Sequence, residues 1–254
     1  MKVLGLNMPL IKSGDDLSAM IARAAEQVGG LRDGDIIVIS SKAIATVQGR
    51  VRELASVRPS TRARKIAAKS GQDPEFVELV LREAKRVLSI SKDVILTLKS
   101  GVICVNAGVD SSNAPPGHAM LMPINPNRAA RELQQTIARR TNARVGVIIT
   151  DSNVKPLRLG TVGQAIGVAG LEPIIDCRGQ HDLYGKPLRV TFRALADQLA
   201  TAAQAVMGEA AEGVPATVVR GAGVELVEKT KRSPKISPKR CIYSNMLKLS
   251  KKSQ

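Results

Sequence analysis

Apolar positions along this chain follow two rhythms that alternate. Helical spacing recurs over residues 16–28, 61–70, 75–88, 127–141 and 191–207. In 75–88 the apolar face is Phe76, Val77, Val80, Leu81, Ala84, Val87 and Leu88. In 191–207 it is Phe192, Leu195, Ala196, Leu199, Ala202, Ala203 and Val206, and Gly208 ends the helix. Short unbroken apolar runs predict strands at GDIIVISS (34–41), at ARVGVIITD, which ends on Asp151, and at PATVVRG, which closes the ordered part. Residues 93–98 and 102–106 read as a strand pair joined by Ser100-Gly101. From 160 to 185 the chain is Gly-rich, broken only by the apolar run EPIID. No internal repeat is visible.

Composition narrows the picture. The 254 residues suffice for one large domain or two small ones. Aromatics are 2 % with no Trp, so the core must be aliphatic. No apolar run reaches the roughly 18 residues of a membrane span, and the N-terminus carries no cleavable leader pattern. A cytoplasmic protein without membrane contact is expected. Cys104, Cys177 and Cys241 are far apart and odd in number, which fits a reducing compartment and argues against a zinc site.

A net charge of +16 points first to nucleic acid. Its distribution points away. Residues 228–254 carry nine basic residues against Glu228 alone, half of the net charge, and KRSPKISPK opens this stretch as low-complexity sequence. Such a segment reads as a solvated tail. The scarcity of aromatic residues also argues against a base-stacking platform.

Several familiar devices are missing. GQHDLYGKP, from Gly179 to Pro187, has the wrong loop length for a P-loop and Pro where its hydroxyl should stand. There is no G-x-S-x-G elbow. Three segments carry candidate chemistry instead. GVICVNAGVDSSNAP runs an apolar strand into Asp110, Ser111, Ser112 and Asn113; VGVIITDSNVKPLRLG ends a strand at Asp151 and Ser152, with Lys155 and Arg158 following; VMGEAAEGVP delivers Glu209 just past a helix. Carboxylates and hydroxyls suit a hard cation such as magnesium or manganese, and Lys155 and Arg158 suit phosphate oxygens. The same residues are also ordinary turn formers, helix caps and solvated loop positions, and spacing alone does not choose between the readings.

At these motifs the chain resembles the coenzyme F420-0:L-glutamate ligases. The resemblance spans most of residues 1–221 in order: MPLIKSGDDL, GDIIVISSKAIATVQGR, ICVNAGVDSSN, VGVIITDSNVKPLRLGTVGQAIGVAGL, DLYGKPLRVT and VMGEAAEGVPATVVRG. It implies an α+β, two-lobed fold peculiar to the family and an intertwined homodimer. Residues 1–227 would form the ligase-like domain, with a smaller inserted lobe, and 228–254 a basic tail. It implies GTP as co-substrate with Mg2+ or Mn2+, and K+ as a further cation. A carboxylate of coenzyme F420-0 would be activated as an acyl phosphate and attacked by the amine of L-glutamate, with a second, γ-linked glutamate able to follow. By resemblance Asp110 and Asp151 act as catalytic ligands of one metal, and Ser152 and Glu209 ligate another. Met8, Pro9, Leu10, Ile11, Ser41, Lys42 and Asn113 line the GTP site, with the loop Met207, Gly208, Glu209, Ala210, Ala211, Glu212, Gly213 and Val214.

The chain departs from the family pattern in places. Ser152 stands where Thr is usual, Val154-Lys155 where Gly-Arg is usual, and Thr46 where a nucleotide-region lysine is usual. Leu157 and Leu159 replace an aromatic and an arginine. Two alternatives therefore stand beside the ligase reading: a related ligase with another phosphorylated acid as acceptor, and a degenerate scaffold that binds nucleic acid.

Overall fold

The structure is a computed structural model that describes residues 1–237 and 240–243. The chain begins with β1 (Lys2–Leu6), α1 (Leu17–Glu26), β2 (Ile36–Ser40) and α2 (Ser41–Val47). It continues through β3 (Val51–Glu53), α3 (Thr61–Ser70), α4 (Pro74–Glu83), β4 (Arg86–Ser91), β5 (Val94–Lys99), β6 (Val102–Val105) and β7 (His118–Met120). Then come α5 (Pro126–Thr141), β8 (Gly146–Val154), β9 (Thr161–Ala169), β10 (Ile175–Asp176), β11 (Phe192–Arg193), α6 (Leu195–Met207) and β12 (Ala216–Arg220). The fold class is mixed α+β. None of the described helices is long and apolar enough to cross a membrane.

Contacts divide the chain into two compact units. The first comprises 1–49 and 123–234 and is built on a five-stranded sheet of order β1-β12-β2-β8-β9. Only β2 and β8 are parallel. These central strands, IIVIS and GVIIT, are buried on both faces, so they read as continuous apolar runs rather than as alternation. Ile37, Ile39, Val147 and Ile149 pack against α1 and α5 on one face; Ile36, Val38 and Ile148 pack against α6 on the other. Arg220 and Asp35 lock one end of this unit. The guanidinium donates to both carboxylate oxygens and to the carbonyls of Val28 and Gly30, and Asp35 is 1 % exposed.

The second unit takes in 50–122 and the described residues from Lys235 onward. It packs α3 and α4 with the antiparallel meander β4-β5-β6 and the pair β3-β7 around Val77, Val80, Ile95 and Ala119. Within it, Glu83 accepts from Arg50 Nη2 at 2.7 Å and Lys99 Nζ at 2.5 Å. Burial raises the Glu83 carboxyl pKa, but Lys99 and Arg50 together hold it below its ordinary value.

Four elements differ from the sequence expectation. The helix over 75–88 stops at Glu83: Ala84 is extended, and Val87 and Leu88 belong to β4, which pairs with β5. The ladder to β5 outweighs the helical spacing. The helix over 191–207 starts at Leu195, and Phe192 lies in β11 with the Arg178 guanidinium 4.7 Å above its ring. Within the Gly-rich 160–185, Thr161–Ala169 is a nine-residue strand. The basic segment does not leave the surface at 228. Thr230 Oγ1 donates to the Leu171 carbonyl, and the Lys231 and Arg232 amides both donate to Glu172, each at 2.9 Å. The helical spacing of Ile242, Met246 and Leu249 in the tail falls mostly on residues outside those described.

Glycine explains the hidden strand. A Cβ on Gly163 would stand 2.5 Å from the Ala200 carbonyl oxygen of α6, and one on Gly167 the same distance from that of Pro126 in α5. These glycines are there so that a helix backbone can lie against the strand on each face, and they lower its strand propensity in doing so.

Candidate functional site

The candidate site lies at one end of the first unit's sheet. The parallel pairing of β2 with β8 ends there, Ser40 opposite Thr150, and β8 runs on to Val154 beside β9; such a rim is the kind at which open sheets receive ligands. The antiparallel neighbours bring two further segments to the same end. Leu6 pairs with Ala216, so the residues after β1 meet those before β12. The Met8 amide donates to the Gly213 carbonyl at 3.1 Å, and the Ser40 amide to that of Pro215 at 2.9 Å. The sequence-expected stretches Met8–Ile11, Ser41–Lys42 and Met207–Val214 therefore converge at this rim. Leu10 is 85 % exposed there, while Met8 and Ile11 rest against the core.

The loop after α6 has a specific conformation. Gly208 sits at φ +70°, ψ −170°, a region open essentially to glycine alone. The Glu212 side chain folds back under this turn and accepts from the Ala210 amide at 2.8 Å. The turn presents Glu209 to the sheet end.

Past Thr150, β8 alternates between faces, and its polar residues divide. Asp151 follows Val147 and Ile149 to the α1–α5 side, where Ser41 Oγ donates to its Oδ1 at 2.6 Å. Ser152 follows Ile148 to the α6 side, where its Oγ donates to Glu209 Oε1 at 2.7 Å. Thr161 Oγ1 donates to the same Glu209 oxygen at 3.0 Å. The Gln204 amide also reaches it, and lies 3.1 Å from Ser152 Oγ. A β-bulge makes this possible. Ile149 pairs with Gly167 but Thr150 with Ala165, so Ile166 is looped out. The extra residue keeps Ala165 and Val168 on the same face, and sets Thr161 and Gly163 toward α6.

Sequence reasoning missed Thr161 and Gln204. One signal was available for Gln204: with Asp197 and Thr201 it forms a polar stripe at helical spacing on the otherwise apolar α6.

Asp110 and Asn113 belong to the second unit. Asp110 is held by its neighbours: its Oδ1 accepts from the Ser112 amide at 2.8 Å and its Oδ2 from Ser112 Oγ at 2.6 Å. Upstream, Asn106, Ala107 and Gly108 all have positive φ, and Thr97 Oγ1 accepts from the Ala107 amide at 2.9 Å. Asn113 is itself left-handed at φ +53°.

Lys155 and Arg158 lie in the turn after β8, where the Arg158 amide donates to the Lys155 carbonyl at 3.2 Å. Lys155 also lines a cavity of about 340 Å3 between the β8–β9 end and the start of α6.

The donors are suited to a hard cation. Asp151, Ser152, Thr161 and Glu209 offer carboxylate and hydroxyl oxygens, and no cysteine or histidine joins them. Among the described residues no three His, Cys, Asp or Glu side chains gather into a closed cage. Ser152, Thr161 and Glu209 gather on the α6 side of β8, and Asp151 stands on its other face.

The family model described as F420-0:gamma-glutamyl ligase matches residues 5–221. The chain belongs to this family. It is 43 % identical over 217 residues to the coenzyme F420:L-glutamate ligase of Methanopyrus kandleri, covering 85 % of this chain and 84 % of that one. The enzyme of the same name from Archaeoglobus fulgidus is also 43 % identical over 217 residues, with 85 % and 86 % covered. That from Methanocaldococcus jannaschii is 42 % identical over 226 residues, 88 % of each chain. The matched span contains every residue singled out above for metal, nucleotide or phosphate. The basic segment from 228 lies beyond it.

Proposed function

We propose that the chain ligates L-glutamate to coenzyme F420-0, with GTP as the phosphoryl donor and a divalent cation, Mg2+ or Mn2+, at the sheet end. Carbon–nitrogen bond formation follows from the family and from the names of its relatives. The finer reading rests on one observation: Ser152 and Glu209, from segments 57 residues apart, meet at 2.7 Å one residue beyond Asp151 on β8.

The roles follow from the placement. Ser152 and Glu209 would hold one cation and Asp151, on the other face of β8, would ligate a second; a bound cation neutralises charge on the phosphate oxygens, and Asp110 keeps the ligand role that the resemblance implies. Ser41 holds Asp151 through its Oδ1. The segments Met8–Ile11 and Met207–Val214 flank the nucleotide with backbone groups. Arg158 faces the acidic acceptor. The γ-phosphoryl group passes to an acceptor carboxylate, giving an acyl phosphate and GDP. The glutamate amine then attacks the acyl carbon, phosphate leaves, and the amine loses its proton as the amide forms. The rim hydroxyls of Ser41, Ser152 and Thr161 donate to Asp151 and Glu209, and no protein nucleophile is needed when the acceptor carboxylate itself takes the phosphoryl group.

A homodimer fits the same unit. Leu157, Leu159, Leu183, Tyr184 and Val190 are each more than 80 % exposed, an unusual density of bare apolar side chains for a monomer surface. A second copy of the chain would cover them, and sizing chromatography reads this directly.

Incubation with coenzyme F420-0, L-glutamate, GTP and MnCl2, followed by mass spectrometry, tests the activity. A product heavier by one glutamyl residue, with stoichiometric GDP and phosphate, is expected. GTP hydrolysis without an adduct would send the search to another phosphorylated acid as acceptor.

A further inference from the structure

The cavity beside α6 has no role in the account above, yet its lining is chemically specific. Lys155, Val162, Gly163, Asp197, Gln198 and Thr201 surround it. It contains one cation and one anion, Lys155 and Asp197, which form no ion pair with each other or with any other described residue. Oppositely charged groups that line a cavity of about 340 Å3 without pairing leave room for a ligand carrying both charges.

The anion is pre-set. Asp197 Oδ1 accepts from the Ala165 amide at 2.9 Å, which fixes the carboxylate next to the β9 bulge. Its Oδ2 has no hydrogen-bond partner among the described residues. Thr201 Oγ1 donates to the Gly163 carbonyl at 3.0 Å, so the floor of the cavity is also rigid. Lys155 stands three residues after Ser152 on the opposite wall. The cavity adjoins the Ser152–Glu209 cluster: Val162 and Gly163 follow Thr161, and Thr201 precedes Gln204 by one turn of α6. Its volume is at the low end of small-molecule pockets, roughly 300–1,000 Å3, which suits an amino acid better than a nucleotide.

We propose that this cavity is the subsite for the amine-bearing co-substrate, an α-amino-acid zwitterion of the L-glutamate type, with Asp197 receiving the ammonium group and Lys155 a carboxylate. This rests on the ligase reading, and it assigns Lys155 to the amino acid rather than to phosphate. Gln198 is placed to hydrogen-bond the second carboxylate that distinguishes glutamate from shorter amino acids. The amine held by Asp197 sits on the side from which the Ser152–Glu209 cluster is reached along one face of α6.

The test uses the full chain with coenzyme F420-0, GTP and MnCl2, comparing the parent with Asp197→Asn and Lys155→Met. Asparagine keeps the acceptor for the Ala165 amide and removes only the charge. Losing one charge-assisted hydrogen bond should raise the KM for L-glutamate about 10- to 100-fold while the KM for GTP stays within about twofold. Saturation-transfer NMR should show L-glutamate binding to the parent and weaker binding to both variants. Glutarate, which lacks the amine, should bind the parent poorly, and Asp197→Asn should narrow the gap between the two ligands. Unchanged glutamate KM in both variants, or a rise in GTP KM of equal size, would overturn the assignment. Asp151→Asn runs alongside as a control on the ligase reading. If that variant turns over like the parent, the role of Asp151 in the ligase reading fails, whereas the NMR comparison still decides the glutamate subsite.

Discussion

The two groups of candidate ligands are held in opposite ways. In the first unit, Ser41 reaches Asp151 across 110 residues of sequence, Ser152 reaches Glu209 across 57, and Thr161 reaches Glu209 across 48. In the second unit, the Asp110 side chain accepts from Ser112, two residues away, and its backbone bridges to Met120 ten residues on. The first arrangement exists only when the sheet, the bulge and α6 are all in place. The second is a local turn that its own sequence favours. Site geometry in the first unit is thus tied to the stability of that unit's core, whereas the Asp110 carboxylate is oriented by its own turn.

The sharpest probe of the long-range group is Asp151→Asn. The amide oxygen can still accept from Ser41, so the fold should survive, while the loss of the charge should lower ligation more than about 100-fold at sub-millimolar metal. Mass-spectrometric rates with circular dichroism as a fold check decide it. Parent-like turnover would remove Asp151 from the metal site.

Gly163→Ala tests the scaffold instead of the ligand. The new Cβ would meet the Ala200 carbonyl at 2.5 Å, a backbone atom that cannot swing aside. We expect a loss of about 1–3 kcal/mol in urea unfolding, together with weaker metal affinity as β9 moves from α6. An unchanged midpoint would mean that the strand is not packed as described.

Acid should reach the second unit through Glu83. Its carboxyl pKa in the folded chain lies below its ordinary value of 4.5. The stability it contributes is therefore fully present above that value and lost as pH falls below it. Glu83→Gln should flatten the pH dependence of unfolding between pH 5 and 3, on an approximate scale set by the ordinary carboxylate range. A parallel pair of curves would exclude Glu83 as the acid-sensitive group.

The smallest effect should come from Asp110→Asn, measured as stability. The local turn keeps its acceptor for the Ser112 amide, so the unfolding free energy should change by less than about 1 kcal/mol. A larger change would show that Asp110 supports more of its unit than its own turn.

Much of the first unit was legible in sequence because its central strands are apolar throughout and its helices have clean faces. Asp151 was visible as the polar end of VGVIIT, and Glu209 as the residue after a helix-ending glycine. What escaped is what depends on three-dimensional approach. Strand β9 hid behind glycines whose purpose is to admit helix backbones. The end of α4 was obscured because Val87 and Leu88 continue a helical spacing that the β4–β5 ladder overrides. Phe192 matched the periodicity of α6 although it lies in β11 and is covered by Arg178. Thr161 carries no local mark, since its contact with Glu209 lies 48 residues away, and Gln204 shows only as part of the polar stripe on α6. The grip of Glu172 on residues 231 and 232 was hidden by the charge of the segment that follows.

The looped-out Ile166 has a consequence for how this chain tolerates change in length. Because it shifts the alternation of β9 by one, every side chain from Thr161 to Ala165 owes its facing to a single extra residue. Deleting any one residue of that stretch would be absorbed by straightening the strand, at little expense to pairing. An insertion there has no such outlet: the pairing of Val147–Ile149 with Gly167–Ala169 would hold while Thr161 turned to the other face, away from Glu209. Length in this hairpin is therefore inherited information in its own right: two chains with the same residue types but one residue more here would share a sheet and differ in chemistry.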